Sequence, residues 1–179
     1  MDTAQLPDLS QPELPQDRAL RLGAERLQAA VAMLPERYAP FFARLGDLWQ
    51  LPIDTVVAQL ARAAEPRHWR RTLLSGLERF DVEPSKPQPD RRAHLLRFQP
   101  GALFPLHRHR GTERVLVLEG SYADDTRQQV RAGDTQTMAP GSEHRLHILG
   151  DVPCVAAVSE HGLSFVAPWL GRVLRPFRR

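Results

Sequence analysis

Three histidines and one glutamate stand at spacings that suit a metal site. His107 and His109 are separated by one residue, Glu113 follows after three more, and His144 comes from a separate segment. Alternate side chains of a strand project to one face, so we expect an extended run to direct His107, His109 and Glu113 to the same side. Imidazoles with a carboxylate suit zinc, iron, manganese or nickel. The sequence therefore predicts one divalent transition metal ion on these four side chains, with zinc as the first choice.

The other reactive side chains have simpler interpretations. Cys154, the single cysteine, lies in an apolar run and is expected to be a buried, unreactive thiol. His147 follows His144 by three residues, so strand alternation sends it to the opposite face. The one lysine, Lys86, stands far from the histidines, and no tyrosine or lysine beside them offers an evident general base.

Composition and charge exclude several classes of protein. The 179 residues are 42% apolar and 25% charged, as in ordinary globular proteins, with a net charge of only +3. No apolar run reaches the roughly 18 residues of a membrane span, and the N-terminus lacks a secretory signal. We therefore expect a cytoplasmic protein that binds neither membranes nor, in the absence of a concentrated basic face, nucleic acid directly.

Proline positions and apolar spacing divide the chain. Residues 1–16 form a polar, proline-rich tail, and residues 17–82 predict a small helical domain. Four helices are expected there, at 17–34, at 38–49, and beginning at Pro52 and Pro66. Residues 83–91 contain three prolines and are predicted to be a linker between domains.

The pattern changes after the linker. Short apolar runs alternate with Gly, Pro and Asp throughout residues 92–179, which is typical of a small antiparallel sandwich or barrel. The predicted fold class is therefore α+β with two domains, a helical bundle followed by an all-β barrel.

Two glycine-framed segments carry a family resemblance. The first runs from Gly101 through His107, His109 and Glu113 to Gly120, and the second runs from Gly133 through Pro140-Gly141 to His144. They resemble the two motifs of the cupin superfamily, and in detail they are similar to the cupin domain of ChrR-type anti-sigma factors. The resemblance implies a double-stranded β-helix, or jelly-roll barrel, that holds one metal ion on His107, His109, Glu113 and His144.

The same resemblance implies a regulatory function. The helical segment 17–82 would hold an extracytoplasmic-function sigma factor, and the barrel would bind a small molecule, either a metabolite or an oxidant, in a stress response that controls transcription. One departure is evident: the family's helical domain usually binds zinc through cysteines and histidines, whereas here His68 is the sole histidine before the linker. The alternatives are a metal-dependent enzyme such as a dioxygenase and a binding module without catalysis, and a homodimer is left open.

Overall fold

The computed structural model describes residue 18 and residues 36–84, 90–126 and 128–166. Within these ranges, no helix is long and apolar enough to cross a membrane. The predicted tail and the first predicted helix, apart from residue 18, lie outside the described residues.

In the described part of the chain, two helices with defined bounds precede the strands. A 3₁₀ turn at Ala39–Phe41 leads into α1 (Phe42–Trp49), and Pro52 caps α2 (Ile53–Ala63). In each helix the buried residues follow a spacing of three and four, which makes one apolar stripe. The second and third predicted helices are thus confirmed.

Eleven described strands, all paired antiparallel, form two sheets. The strands are β1 (Arg70–Arg71), β2 (Leu77–Asp81), β3 (Arg92–Phe98), β4 (Leu103–His109), β5 (Glu113–Glu119), β6 (Ser121–Asp124), β7 (Gln129–Arg131), β8 (Thr135–Met138), β9 (Glu143–Leu149), β10 (Cys154–Glu160) and β11 (Leu163–Phe165). The first sheet has the order β1-β2-β3-β10-β5-β8, and the second has the order β11-β4-β9-β6-β7. The described residues therefore form a β-sandwich with two helices before it, which confirms the all-β part of the prediction.

The helix predicted to begin at Pro66 is wrong. Pro66–His68 is a single 3₁₀ turn, and β1 and β2 follow it. The leucines at 73, 74 and 77 imitate helical spacing, but β2 pairs with β3 along its whole length, from Leu77 opposite Phe98 to Asp81 opposite His94. Tertiary pairing overrides the local pattern here, so a four-helix bundle is not confirmed.

The helices pack on the outer face of the six-stranded sheet. Leu45, Leu48 and Trp49 of α1 are at most 3% exposed and share one apolar cluster with sheet residues such as Phe80 and Leu95. A second cluster fills the space between the two sheets. Because β10 is covered on both faces, every one of its residues is buried.

Polar contacts hold the helices to the barrel. The Trp49 indole N–H donates to the Val158 carbonyl over 3.2 Å, and the Tyr38 hydroxyl donates to the Glu119 carboxylate. These contacts cross from the predicted helical domain to the predicted barrel. The proposed limits between the domains, at 82 and 92, stay a prediction.

Gly120 ends β5 where no side chain fits. Its φ of +67° is left-handed, and an added Cβ would lie 2.6 Å from the Pro153 carbonyl oxygen. We expect Gly120→Ala to lower the free energy of unfolding by about 2–5 kcal/mol, because backbone strain and overpacking add. Urea denaturation measures the loss. Gly101→Ala is the matched control, since its φ is +72° but no atom lies within 4 Å; an equal loss in both variants would contradict the close contact.

Candidate metal centre

A bulge in β4 aims two histidines into the sandwich. The register with β9 shifts between Phe104 and His107. Because of this shift, the side chains of Phe104 and His107 both point inward, although these two residues are an odd number of positions apart. Pro105, which cannot donate to the ladder, lies in this irregular stretch. His109 follows by normal alternation, and His144 on β9 lies directly opposite His107. The backbone thus gathers three imidazoles from two neighbouring strands.

The ligating nitrogens of these imidazoles converge. One nitrogen from each of His107, His109 and His144 lies within 4.8 Å of the others, and the His109 and His144 Nε2 atoms are 3.1 Å apart. Zinc bonds of about 2.0–2.1 Å at tetrahedral or octahedral angles place two nitrogens about 2.8–3.4 Å apart. The observed separation therefore fits two ligands of one ion, and this three-histidine cluster could bind a metal.

The hydrogen bonds of the cluster also suit a metal site. His107 Nδ1 is 2.9 Å from the Pro105 carbonyl oxygen, which fixes Nδ1 as the donor and leaves Nε2 with a lone pair. The Nδ1 atoms of His109 and His144 are buried and have no hydrogen-bond partner among the described residues. Such orphaned atoms are uncommon in a packed interior.

Burial keeps the three imidazoles neutral. Burial, and then the neighbouring His144, lower the pKa of His107 to about 3 and that of His109 to about 4. The pKa of His144 is also lowered by burial. Neutral imidazoles are the form that ligates a metal, so protons do not compete for these nitrogens near pH 7. A pH dependence between 7 and 5, as free imidazole would give, is not expected from them.

Glu113 lies beside the histidines but comes from the opposite sheet. Strand β4 ends at His109 and β5 begins at Glu113, so the single extended run expected from the even spacing is wrong. Glu113 Oε2 is 3.6 Å from His109 Nδ1. Burial, and then Glu160, raise the pKa of the Glu113 carboxyl to about 8. The assignment of Glu113 as a metal ligand stays a prediction. A cation beside it would offset the free-energy cost of burying the charged form of this carboxyl group.

A small cavity connects the cluster with the opposite wall of the sandwich. It encloses about 30 Å³ and is lined by His107, His144 and Glu113, and also by Tyr122, His94 and Glu160. Tyr122 donates its hydroxyl to Gln136 Oε1 over 2.6 Å. Sequence reasoning missed Tyr122 and Glu160, and it gave His94 a structural interpretation. Tyr122 on β6, Glu160 on β10 and His94 on β3 each lie two positions from another inward-facing residue of the same strand. This alternation is the sequence signal that could have identified them as inward-facing.

His147 and Cys154 lie where the sequence predicted. His147 is exposed on the outer face, and Glu143 points outward to receive a 2.6 Å hydrogen bond from Arg108. Cys154 is fully buried, and burial raises the pKa of its thiol to about 12.

Two antiparallel sheets that enclose inward-facing histidines define a cupin-like protein. The family model described as the ChrR Cupin-like domain matches residues 59–163, which is more than half of the chain. The chain therefore belongs to the ChrR cupin-like family. No curated protein matches it.

Several solved structures are similar to this chain. A chain of the complex between Rhodobacter sphaeroides SigE and the anti-sigma ChrR is 25% identical; the alignment covers 64% of this chain but only 54% of that one, with a TM-score of 0.47. A putative acetylacetone dioxygenase from Methylibium petroleiphilum is 16% identical over 56% of this chain and 75% of its own, with a TM-score of 0.49. KdgF from a Halomonas species is 20% identical over 52% and 84%, with a TM-score of 0.44.

Proposed function

We propose that this protein is a metal-binding regulatory cupin that holds one divalent transition metal ion, with zinc as the first choice. The observation that carries the metal is the convergence of three buried imidazoles, each of which offers one nitrogen within 4.8 Å of the others. His107, His109 and His144 would hold the ion, with Glu113 as the fourth ligand. The ion would supply a Lewis-acidic centre for an oxygen ligand.

The regulatory part of the proposal rests on membership of the ChrR cupin-like family. We propose an extracytoplasmic-function sigma factor as the partner, held through the N-terminal segment 17–82. The apolar sides of α1 and α2 are already committed to the barrel, where Leu45, Leu48 and Trp49 are buried. Within the described part of this segment, the partner must therefore use the solvent-facing side, where Ile53 and Leu73 are more than half exposed.

A metal-dependent enzyme is the second candidate, and a specific observation favours it. Tyr122, His94 and Glu160 line the cavity, so groups able to hold or move a proton face the centre. Arg114, by contrast, pairs with Asp47 on the outside over 2.6 Å. Copurification of the full chain with a sigma factor from its native cells, and repression of that factor's transcription in vitro, would support regulation. Metal-dependent turnover of a small molecule without sigma binding would support the enzyme.

The metal assignment predicts a definite stoichiometry. Elemental analysis of the purified protein is expected to show about one equivalent of a divalent transition metal, because the three imidazole nitrogens lie close enough together to share a single ion. His107→Ala combined with His144→Ala should reduce the content below about a tenth of an equivalent. His147→Ala is the control, since His147 lies on the same strand as His144 but faces outward. Full metal content in the double variant would refute the ligand assignment.

A further inference from the structure

Two phenyl rings pack against one of the three imidazoles. The His107 ring is 1% exposed and lies edge-on to Phe104, with ring centroids 4.7 Å apart and an interplanar angle of 75°. Phe165 approaches the same imidazole, with a centroid distance of 6.5 Å and an angle of 58°. The two phenyl rings also contact each other, with centroids 5.8 Å apart. His107 therefore lies at one corner of a triangle of rings, within the distances at which aromatic pairs attract.

The two phenyl rings come from separate strands. Phe104 lies on β4, just before the bulge. Phe165 lies on β11, where it is directly opposite His107 in the ladder between β11 and β4. Strand β11 has only three residues and pairs with β4 at the edge of the five-stranded sheet. This short edge strand thus brings a second phenyl ring to an imidazole that faces the barrel interior.

The ring packing complements the hydrogen bond of the His107 side chain. The contact between Nδ1 and the Pro105 carbonyl oxygen fixes the nitrogen that carries the proton, and the flanking rings restrict rotation of the imidazole. His109 and His144 have neither constraint from the described residues, where their Nδ1 atoms lack a hydrogen-bond partner and their ring contacts are with other imidazoles. His107 is therefore the most constrained of the three histidines.

We propose that Phe104 and Phe165 are positioning residues for the metal centre, which hold the His107 imidazole with Nε2 directed at the ion. A ligand that is held in place before the ion binds loses less conformational entropy on binding. The role differs from ligation, since a phenyl ring offers no donor atom. This assignment rests on the proposed metal centre and adds to it two residues that do not touch the ion.

Phe165→Leu tests the proposal in the full chain, because Phe165 is only half-buried and its strand lies at a sheet edge. Competition with a chromophoric chelator is expected to show a zinc affinity reduced about fivefold, as the loss of one aromatic contact implies. Phe165→Tyr keeps the ring and should restore the affinity to within about twofold of the wild-type value. Phe104→Leu, the second variant, should reduce the affinity at least as much as Phe165→Leu, since its ring is closer to the imidazole.

The absorption spectrum of the cobalt(II)-loaded protein separates positioning from stability. Its d–d bands report the ligands and the geometry around the ion, so a displaced His107 should shift them in both leucine variants, and Phe165→Tyr should retain the wild-type spectrum. Phe80→Leu is the control, since Phe80 is a buried ring of the other apolar cluster, 6.0 Å from Trp69. It should lower the free energy of unfolding and leave both the zinc affinity and the cobalt spectrum unchanged.

The outcomes separate this inference from the proposed function. A wild-type protein that binds neither zinc nor cobalt(II) would refute the proposed metal centre itself. Wild-type affinity in both leucine variants, or a reduced affinity with an unchanged cobalt spectrum, would overturn the present inference alone. Equal losses of zinc affinity in Phe165→Leu and Phe165→Tyr, or in Phe165→Leu and Phe80→Leu, would also overturn it, because the ring contact with His107 would then not be the cause.

Discussion

The metal affinity of the protein is expected to fall about tenfold for each pH unit below about 8. Glu113 must lose its proton to ligate, and burial raises the pKa of its carboxyl to about 8. For each pH unit below that value, competition from the proton therefore lowers the apparent metal affinity about tenfold. The imidazoles add nothing in this window, since the pKa values of His107 and His109 are about 3 and 4. Zinc competition with a chromophoric chelator at pH 6, 7 and 8 measures the slope.

The Glu113→Gln variant distinguishes the contribution of the carboxylate to the pH dependence of metal affinity from that of the histidines. The amide has the same shape but no proton to lose, so we expect weaker binding at pH 8 and nearly constant affinity from pH 6 to 8. Glu143→Gln, on the outer face, should retain the wild-type slope. A flat profile in the wild-type protein would show that Glu113 is not a ligand, whereas an unchanged slope in Glu113→Gln would assign the titration to another group.

Trp49→Ala is expected to lower the free energy of unfolding by about 3–5 kcal/mol, because it empties the space between α1 and the six-stranded sheet. Trp49 is 3% exposed, and its indole N–H donates to Val158 of β10. The variant thus loses apolar packing and leaves a buried carbonyl without its partner. Urea denaturation followed by both far-UV circular dichroism and tryptophan fluorescence measures the change.

The same experiment tests whether the helices are an independent domain. Helices that share a core with the barrel unfold with it, so the two signals should change together in the wild-type protein. Ile53→Ala, on the exposed side of α2, should cost less than about 0.5 kcal/mol. Two separated transitions, with Trp49→Ala affecting only the first, would instead support a separate helical domain that ends before the linker.

The histidine cluster could be predicted from sequence because the alternation of side chains along a strand is enough to place two of its histidines on one face. His107 and His109 share the face of one strand, and the glycine-framed segment carries His144. The bulge before His107 could not be predicted, since it reflects the fit of β4 to β9. The turn that places Glu113 on the other sheet could not be predicted either. The even spacing between His109 and Glu113 is the same for one continuous strand and for two strands joined by a turn.

The helical segment was harder to predict for a related reason. The spacing of Leu45, Leu48 and Trp49 reveals an apolar stripe but not the surface that covers it, which is the sheet. After Pro66, the chain forms a turn in which the Thr72 backbone N–H donates to the Leu77 carbonyl over 3.1 Å, and β2 then joins β3. This pairing depends on residues more than a dozen positions away, so local periodicity gave the wrong element.

The place of β10 in its sheet has a consequence for biosynthesis. It lies between β3 and β5, yet it follows both in the chain by more than thirty residues. As a nascent chain leaves the ribosome, β1-β2-β3 and β5-β8 can form only as two ribbons with unpaired edges. These ribbons join when Cys154–Glu160 has emerged and inserts between them. Closure of the barrel during synthesis is therefore expected to be late, and until then the unpaired edges of the two ribbons are able to pair with other chains.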